Sequence, residues 1–122
     1  MKDFYDLDVW KESRKFRLQI AVIAKKFPPE EKFKLTDQLL RSSRSITANI
    51  AEGHGKFHYQ ENIQFCRIAR GSLTESLDHL ICAYDEKYIT KMELTEYKKM
   101  YSLCLKLING YIAYLKKRKA EE

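Results

Sequence analysis

Turn-forming residues are scarce, with 4 Gly and 2 Pro in 122 residues. So few of them disfavour a many-stranded sandwich or barrel and favour a few long helices. Long apolar runs are missing too: none approaches the ~18 residues of a membrane span. The opening MKDFYDLDVWKES carries acids where a secretory signal needs a basic and then an apolar stretch. A cytoplasmic protein without a membrane partner is expected. Cysteine is sparse, and Cys66, Cys82 and Cys104 are odd in number and widely spaced, with no CxxC pair or Cys/His cluster. That pattern suggests neither a disulfide framework nor a zinc site, and buried reduced thiols are expected.

Catalytic motifs are absent as well: there is no P-loop, GxGxxG turn, GxSxG elbow or HExxH pair. His54 and His58 have i, i+4 spacing with Glu61 nearby, but Gly53 and Gly55 put the pair on a loop rather than on one helix face. His58 followed three residues later by Glu61 reads instead as an imperfect capping box. Neither an enzyme nor a bound metal or cofactor is expected.

What the chain does have is 44% apolar residues beside 33% charged ones, enough to build a core. Four segments, about 6–27, 34–53, 59–85 and 92–117, repeat apolar residues every three or four positions, the spacing of one helical face. Pro28 and Pro29 end the first and Gly53 and Gly55 the second. The third is striped by Ile63, Cys66, Arg70, Leu73, Leu77, Leu80 and Tyr84, and the fourth by Leu94, Tyr97, Tyr101, Cys104, Ile108, Tyr111 and Leu115. The predicted fold is all-α, a single-domain up-down-up-down antiparallel four-helix bundle spanning residues 1–122, with a basic tail at 116–122.

Helix four carries more apolar surface than one bundle seam uses. Met100, Leu103, Leu107 and Tyr114 lie beside its stripe and widen the apolar arc to about 200°, against the ~100° of a surface helix. They are read as the interface of a cyclic homo-oligomer. The same helix concentrates the charge. Lys98, Lys99, Lys106, Lys116, Lys117, Arg118 and Lys119 stand together with no acid among them, so this stretch alone is +7 in a chain whose net charge is +6. Lys99, Lys106 and Lys117 fall within about 20° of one another on the wheel, opposite the apolar arc. A ridge of this kind attracts phosphate backbones through counterion release, indifferent to base sequence. Lys11, Arg14 and Lys15 on helix one widen the footprint if helices one and four are neighbours. RNA or DNA held by its backbone is therefore the expected partner, with an acidic protein bound by an interaction scaffold as the alternative.

The segment RSSRSITANIAEGHG, residues 41–55, is small and polar where Leu would be usual. Ser42 and Asn49 fall on inward positions, and helix three offers Arg70, Ser72 and Glu75 across from them. The expected structural network pairs Arg70 with Glu52 or Glu75 and joins Asn49 to a partner on helix three.

The run SITANIAEGHGK followed by FCRIARGSLTESLDHL resembles the bacterial four-helix-bundle proteins encoded in intervening sequences of large-subunit ribosomal RNA genes. That family is similar in fold to the accessory variability determinant (Avd) proteins of diversity-generating retroelements. Asn49, Glu52, Gly53, Ala69, Gly71, Ser72 and Glu75 carry the likeness, and FYDLDVWKES and LTDQLLRSSRSI extend it over nearly the whole chain. Thr47 stands where a proline commonly precedes the Ala-Asn-Ile run. The resemblance implies a homopentameric barrel, RNA or DNA binding and, in the retroelement branch, association with a reverse transcriptase and its RNA template.

Overall fold

The computed structural model describes residues 3–122, in which four α-helices and two short 3-10 turns, at Phe4–Asp6 and Pro29–Glu31, are joined without any strand. The helices are α1 (Asp8–Ala24), α2 (Leu35–Gly55), α3 (Tyr59–Asp85) and α4 (Lys91–Ala120). Helix α1 stops three residues short of the expected Phe27. Its exit tightens through the Lys25, Lys26 and Phe27 N–H groups, which donate three residues back before Pro28 removes the next donor. Phe27 still packs into the core from this turn. Helix α2 has no side-chain cap of its own. Glu31 supplies the acceptor instead, taking the Leu35 N–H on one carboxylate oxygen and the Tyr88 hydroxyl on the other at 2.8 Å.

All four helices contribute to one core, in which Phe16, Ile20, Leu39, Ile46, Ile50, Leu73, Leu80 and Ile108 are fully buried. The Tyr97 hydroxyl closes α4 onto α1 by donating to the Gln19 carbonyl at 2.7 Å, and burial pushes its pKa up to about 12. Helix α3 buries Ile63, Cys66, Leu73 and Leu80 of the predicted stripe but departs from it at the other three positions. Arg70 and Leu77 are only half-buried and Tyr84 is exposed, while Asn62, Ala69, Ser76 and Ala83 take the interior places. These four recur every seven residues, a spacing that keeps small side chains on one seam and lets a second backbone come close.

The seam is the one with α2. Ser42 Oγ and Ser76 Oγ lie 2.8 Å apart in the interior, so that one hydroxyl donates to the other and the other's proton goes to a carbonyl of its own helix. Ser72 donates to Ser45 Oγ at 2.9 Å, and Asn49 donates to the Ser45 carbonyl and hydroxyl. The polar heart is thus a chain of hydroxyls, and two expectations are corrected. Arg70 reaches neither Glu52 nor Glu75: it is long enough to leave the seam and donates to Asn109 Oδ1 on α4 at 2.8 Å. Glu75 pairs with His79 one turn on, Glu52 is exposed, and Asn49 bonds within α2 rather than across to α3.

At Gly53 the two helices come close. The glycine does not end α2, which continues to Gly55, and its backbone is not in the left-handed region. A Cβ there would stand 2.8 Å from both Asn62 Oδ1 and Phe65 Cβ, whereas at Gly55 it would meet nothing within 4 Å. The left-handed turn falls instead on Phe57, at φ 60°, between α2 and α3.

Gly53→Ala should therefore lower stability by roughly 1–3 kcal/mol, the usual range for overpacking, while Gly55→Ala stabilises by up to about 1 kcal/mol; chemical denaturation distinguishes the two. Thiol chemistry offers a second test. Burial pushes the Cys66 and Cys104 thiols up to about 11, whereas Cys82 is exposed and raised by partial burial and then by the neighbouring Asp78, Asp85 and Glu86. An alkylating reagent at mildly alkaline pH should modify Cys82 alone in the native protein and all three cysteines in denaturant, read by intact mass.

Candidate nucleic-acid interface

Helix α4 is built to be long. A reciprocal capping box opens it, with Thr90 Oγ1 accepting from the Glu93 N–H and Glu93 accepting from the Thr90 N–H. Those bonds, with Lys26 at 3.4 Å, hold the Glu93 carboxyl below its ordinary value, the Thr90 backbone being the largest cause. The helix then runs 30 residues and ends with Lys117, Arg118 and Lys119 in its last turn, where the helix dipole favours cations.

Lys99, Lys106 and Lys117 are exposed on the facet facing away from the core. Among the described residues, Lys98, Lys106, Lys116, Lys117 and Arg118 form no salt bridge. Lys99 differs from expectation: Glu96, one turn before it, lies 3.3 Å from its ammonium. Both partners are open to solvent, so the pair contributes at most about 1 kcal/mol and leaves the lysine available. Lys119 donates to Gln60 on α3, and Lys116 and Lys119 border a shallow cleft with Arg67. The basic end of α4 therefore continues onto α3, a neighbourhood that sequence spacing alone did not reveal.

The α1 cations lie elsewhere. Lys11, Arg14 and Lys15 border a groove of about 940 Å³ that also contains Leu18, Leu103 and Leu107. Helices α1 and α4 are neighbours, as the footprint argument required, but these cations rim the apolar flank rather than extending the α4 ridge. Lys15 lies 3.1 Å from Glu12, and Arg14 stands over the Trp10 ring. Leu103 is 45% exposed, Leu18 47% and Val22 56%, so the unused apolar face of α4 has a matching one on α1. Within the same groove the Arg17 Nε is buried with no acceptor. The α1 part of this face was missed in the sequence because Leu18 and Val22 lie just outside the α1 core stripe and read as isolated surface residues.

His54 lies in the last turn of α2, not on a loop, and His58 is the N-cap of α3 without a side-chain cap bond. The box expected with Glu61 does not form, although the His58 carbonyl accepts the Asn62 N–H at 2.9 Å. Both rings border a cleft of about 800 Å³ with Tyr111, Tyr114 and Arg118. Among the described residues no group of three or more His, Cys, Asp or Glu is placed to hold a metal ion. Nor is any helix among them long and apolar enough to cross a membrane.

Comparison with known proteins agrees with this architecture. A solved structure, described as a protein of unknown function from the S23 ribosomal protein family of Bacteroides thetaiotaomicron VPI-5482, superposes with a TM-score of 0.79 at 27% identity. The match covers 86% of this chain and 95% of that one. No curated protein matches the sequence. The family model for the 23S rRNA-intervening sequence protein matches residues 5–110, and the chain belongs to that family.

Proposed function

We propose that this protein is a non-enzymatic, cytoplasmic RNA-binding protein that holds phosphate backbones on α4 and works as a cyclic homo-oligomer. The observation that carries the reading is the outward facet of α4, where Lys106 and Lys117 have no ion pair and lead into the Lys116–Lys119 cluster. Unpaired, solvated cations in a row release counterions when they meet a polyanion, and none of them reads a base edge. The family description favours RNA, and specifically RNA of a 23S intervening sequence. A reverse transcriptase partner rests on the resemblance to Avd proteins alone.

The assembly reading rests on the face shared by α1 and α4. In an up-down-up-down antiparallel bundle these are the first and last helices, and Leu18, Val22, Met100, Leu103 and Leu107 stay partly or largely uncovered along them. A second copy would cover them and give the buried Arg17 Nε an acceptor. A closed ring leaves no copy with this face open, and the pentamer implied by the resemblance is the ring proposed.

Reversing charge at Lys99, Lys106 and Lys117 to Glu should weaken binding of single-stranded RNA and reduce the slope of log affinity against log salt by about 2, at ~0.7 per lost phosphate contact. Unchanged affinity with unchanged slope would instead favour an acidic protein as the partner of this surface. Leu103→Asp combined with Leu107→Asp should reduce the mass seen by light scattering to that of one 14.5 kDa chain, with helicity retained by circular dichroism.

A further inference from the structure

The cleft at the end of the molecule has a chemistry that backbone binding does not use. Its walls come from three places: the start of α1, the turn between α2 and α3, and the last third of α4. Phe57 sits in that turn with 81% of its surface exposed, held outward by a backbone at φ 60° that a phenylalanine rarely adopts. Its ring lies 6.3 Å from that of His54. On the α4 wall Tyr111 and Tyr114 stack, with centroids 6.2 Å apart and planes within 13°. Tyr111 is the inner ring, fixed by Asn62 Nδ2 donating to its hydroxyl at 3.2 Å; Tyr114 is the outer ring and 54% exposed.

Apolar packing does not explain this arrangement. A strained backbone that presents an aromatic ring to water costs free energy, as does an exposed tyrosine face lying over a stack. Charge indicates the occupant. Arg118 stands at the cleft with the side chain of Tyr59 alongside, His54 and His58 border it, and Asp8 is the one carboxylate in the wall. Lys117 and Lys119 flank Arg118 in the same helical turn. A ligand with a flat ring at one end and a negative charge at the other satisfies both features. At about 800 Å³ the cleft is within the range of sites that enclose a small molecule.

We propose that this cleft takes one unpaired nucleotide of a single-stranded RNA, its base extending the Tyr111–Tyr114 stack under Phe57 and its phosphate lying against Arg118. The inference rests on the RNA-binding reading above and deepens it by naming the form of RNA. Bases in an A-form duplex are already stacked and cannot enter, whereas those of loops and free ends can. Asp8, in the cleft wall, is the group that can meet the edge of the inserted base.

The test uses the full-length protein and an adenylate oligomer carrying one 2-aminopurine, beside a duplex of the same length. The proposal expects tighter binding of the single strand at equal salt, and quenching of 2-aminopurine fluorescence as that base stacks on a tyrosine. Tyr114→Ala should weaken single-strand binding about 5- to 150-fold, the usual range for one stacked base, and abolish the quenching. Tyr114→Phe should retain both, because the ring and not the hydroxyl is used. Phe57→Ala should also weaken single-strand binding, and light scattering should show every variant at the wild-type mass. Equal affinity for strand and duplex, with no quenching and no effect of Tyr114→Ala, overturns the cleft while leaving backbone binding on α4 intact. Failure of the wild-type protein to bind either RNA overturns both.

Discussion

The close approach of α2 to α3 is the constraint on which the other contacts depend. It is made by what is missing from the side chains: no Cβ at Gly53, methyl groups only at Ala69 and Ala83, and hydroxyls at Ser42 and Ser76 that satisfy each other 2.8 Å apart. A buried hydroxyl left alone would cost ~1–3 kcal/mol, so the serines hold register as well as space: slipping one helix past the other would separate both interhelical hydroxyl pairs at once. With half the molecule drawn tight, the large apolar side chains of α1 and α4 must fill what remains. They do not fill all of it, and the surplus lies along the outer seam between those two helices. The asymmetry between a tight seam and an open one follows from where the small residues stand in the chain.

Charge is distributed by the same geometry. Helix α4 has one facet in the core, one beside α1 and the rest exposed to solvent, and all its lysines are exposed, four of its cations standing together in the C-terminal turns. Cations in the last turn also complement the helix dipole, so part of the basic cluster stabilises the fold regardless of any ligand. Lys106, in mid-helix, gains nothing from the dipole and has no carboxylate partner. Lys98, also away from the last turn and without a salt bridge, shares that position.

Much of this was legible in the residues. The 3-4 spacing of Leu94, Cys104, Ile108 and Leu115 placed the α4 core face correctly, because large apolar residues at helical spacing have few other places to go. The uncovered flank at Leu103 and Leu107 was visible as an arc too wide for one seam. The α3 stripe holds at Ile63, Cys66, Leu73 and Leu80 and is off by one residue at its other three positions, because Arg70, Leu77 and Tyr84 are larger than the Ala69, Ser76 and Ala83 that displace them. Hydrophobic spacing rewards size, whereas a tight seam selects its absence. The Arg70 pairing failed for a related reason: a long side chain placed near a seam by periodicity can reach past it, here to Asn109. The clefts were not legible, since they join residues such as Asp8, Phe57 and Tyr114 that only the packing of three elements brings together.

The unequal lengths of the helices matter for the end of the chain. Helix α1 has 17 residues, about 26 Å at the usual rise, and α4 has 30, about 45 Å. Leu115 is the last buried side chain on α4, so Lys116 to Ala120 form an exposed overhang tied to α3 by polar contacts, Lys119 with Gln60 and Arg118 with Tyr59. Four adjacent cations repel one another there, which makes dissolved ions act in two directions on one short stretch of backbone. Added electrolyte relaxes the mutual repulsion and firms the overhanging turn while it weakens the pull on any polyanion, so the overhang is at its most ordered where it is least adhesive.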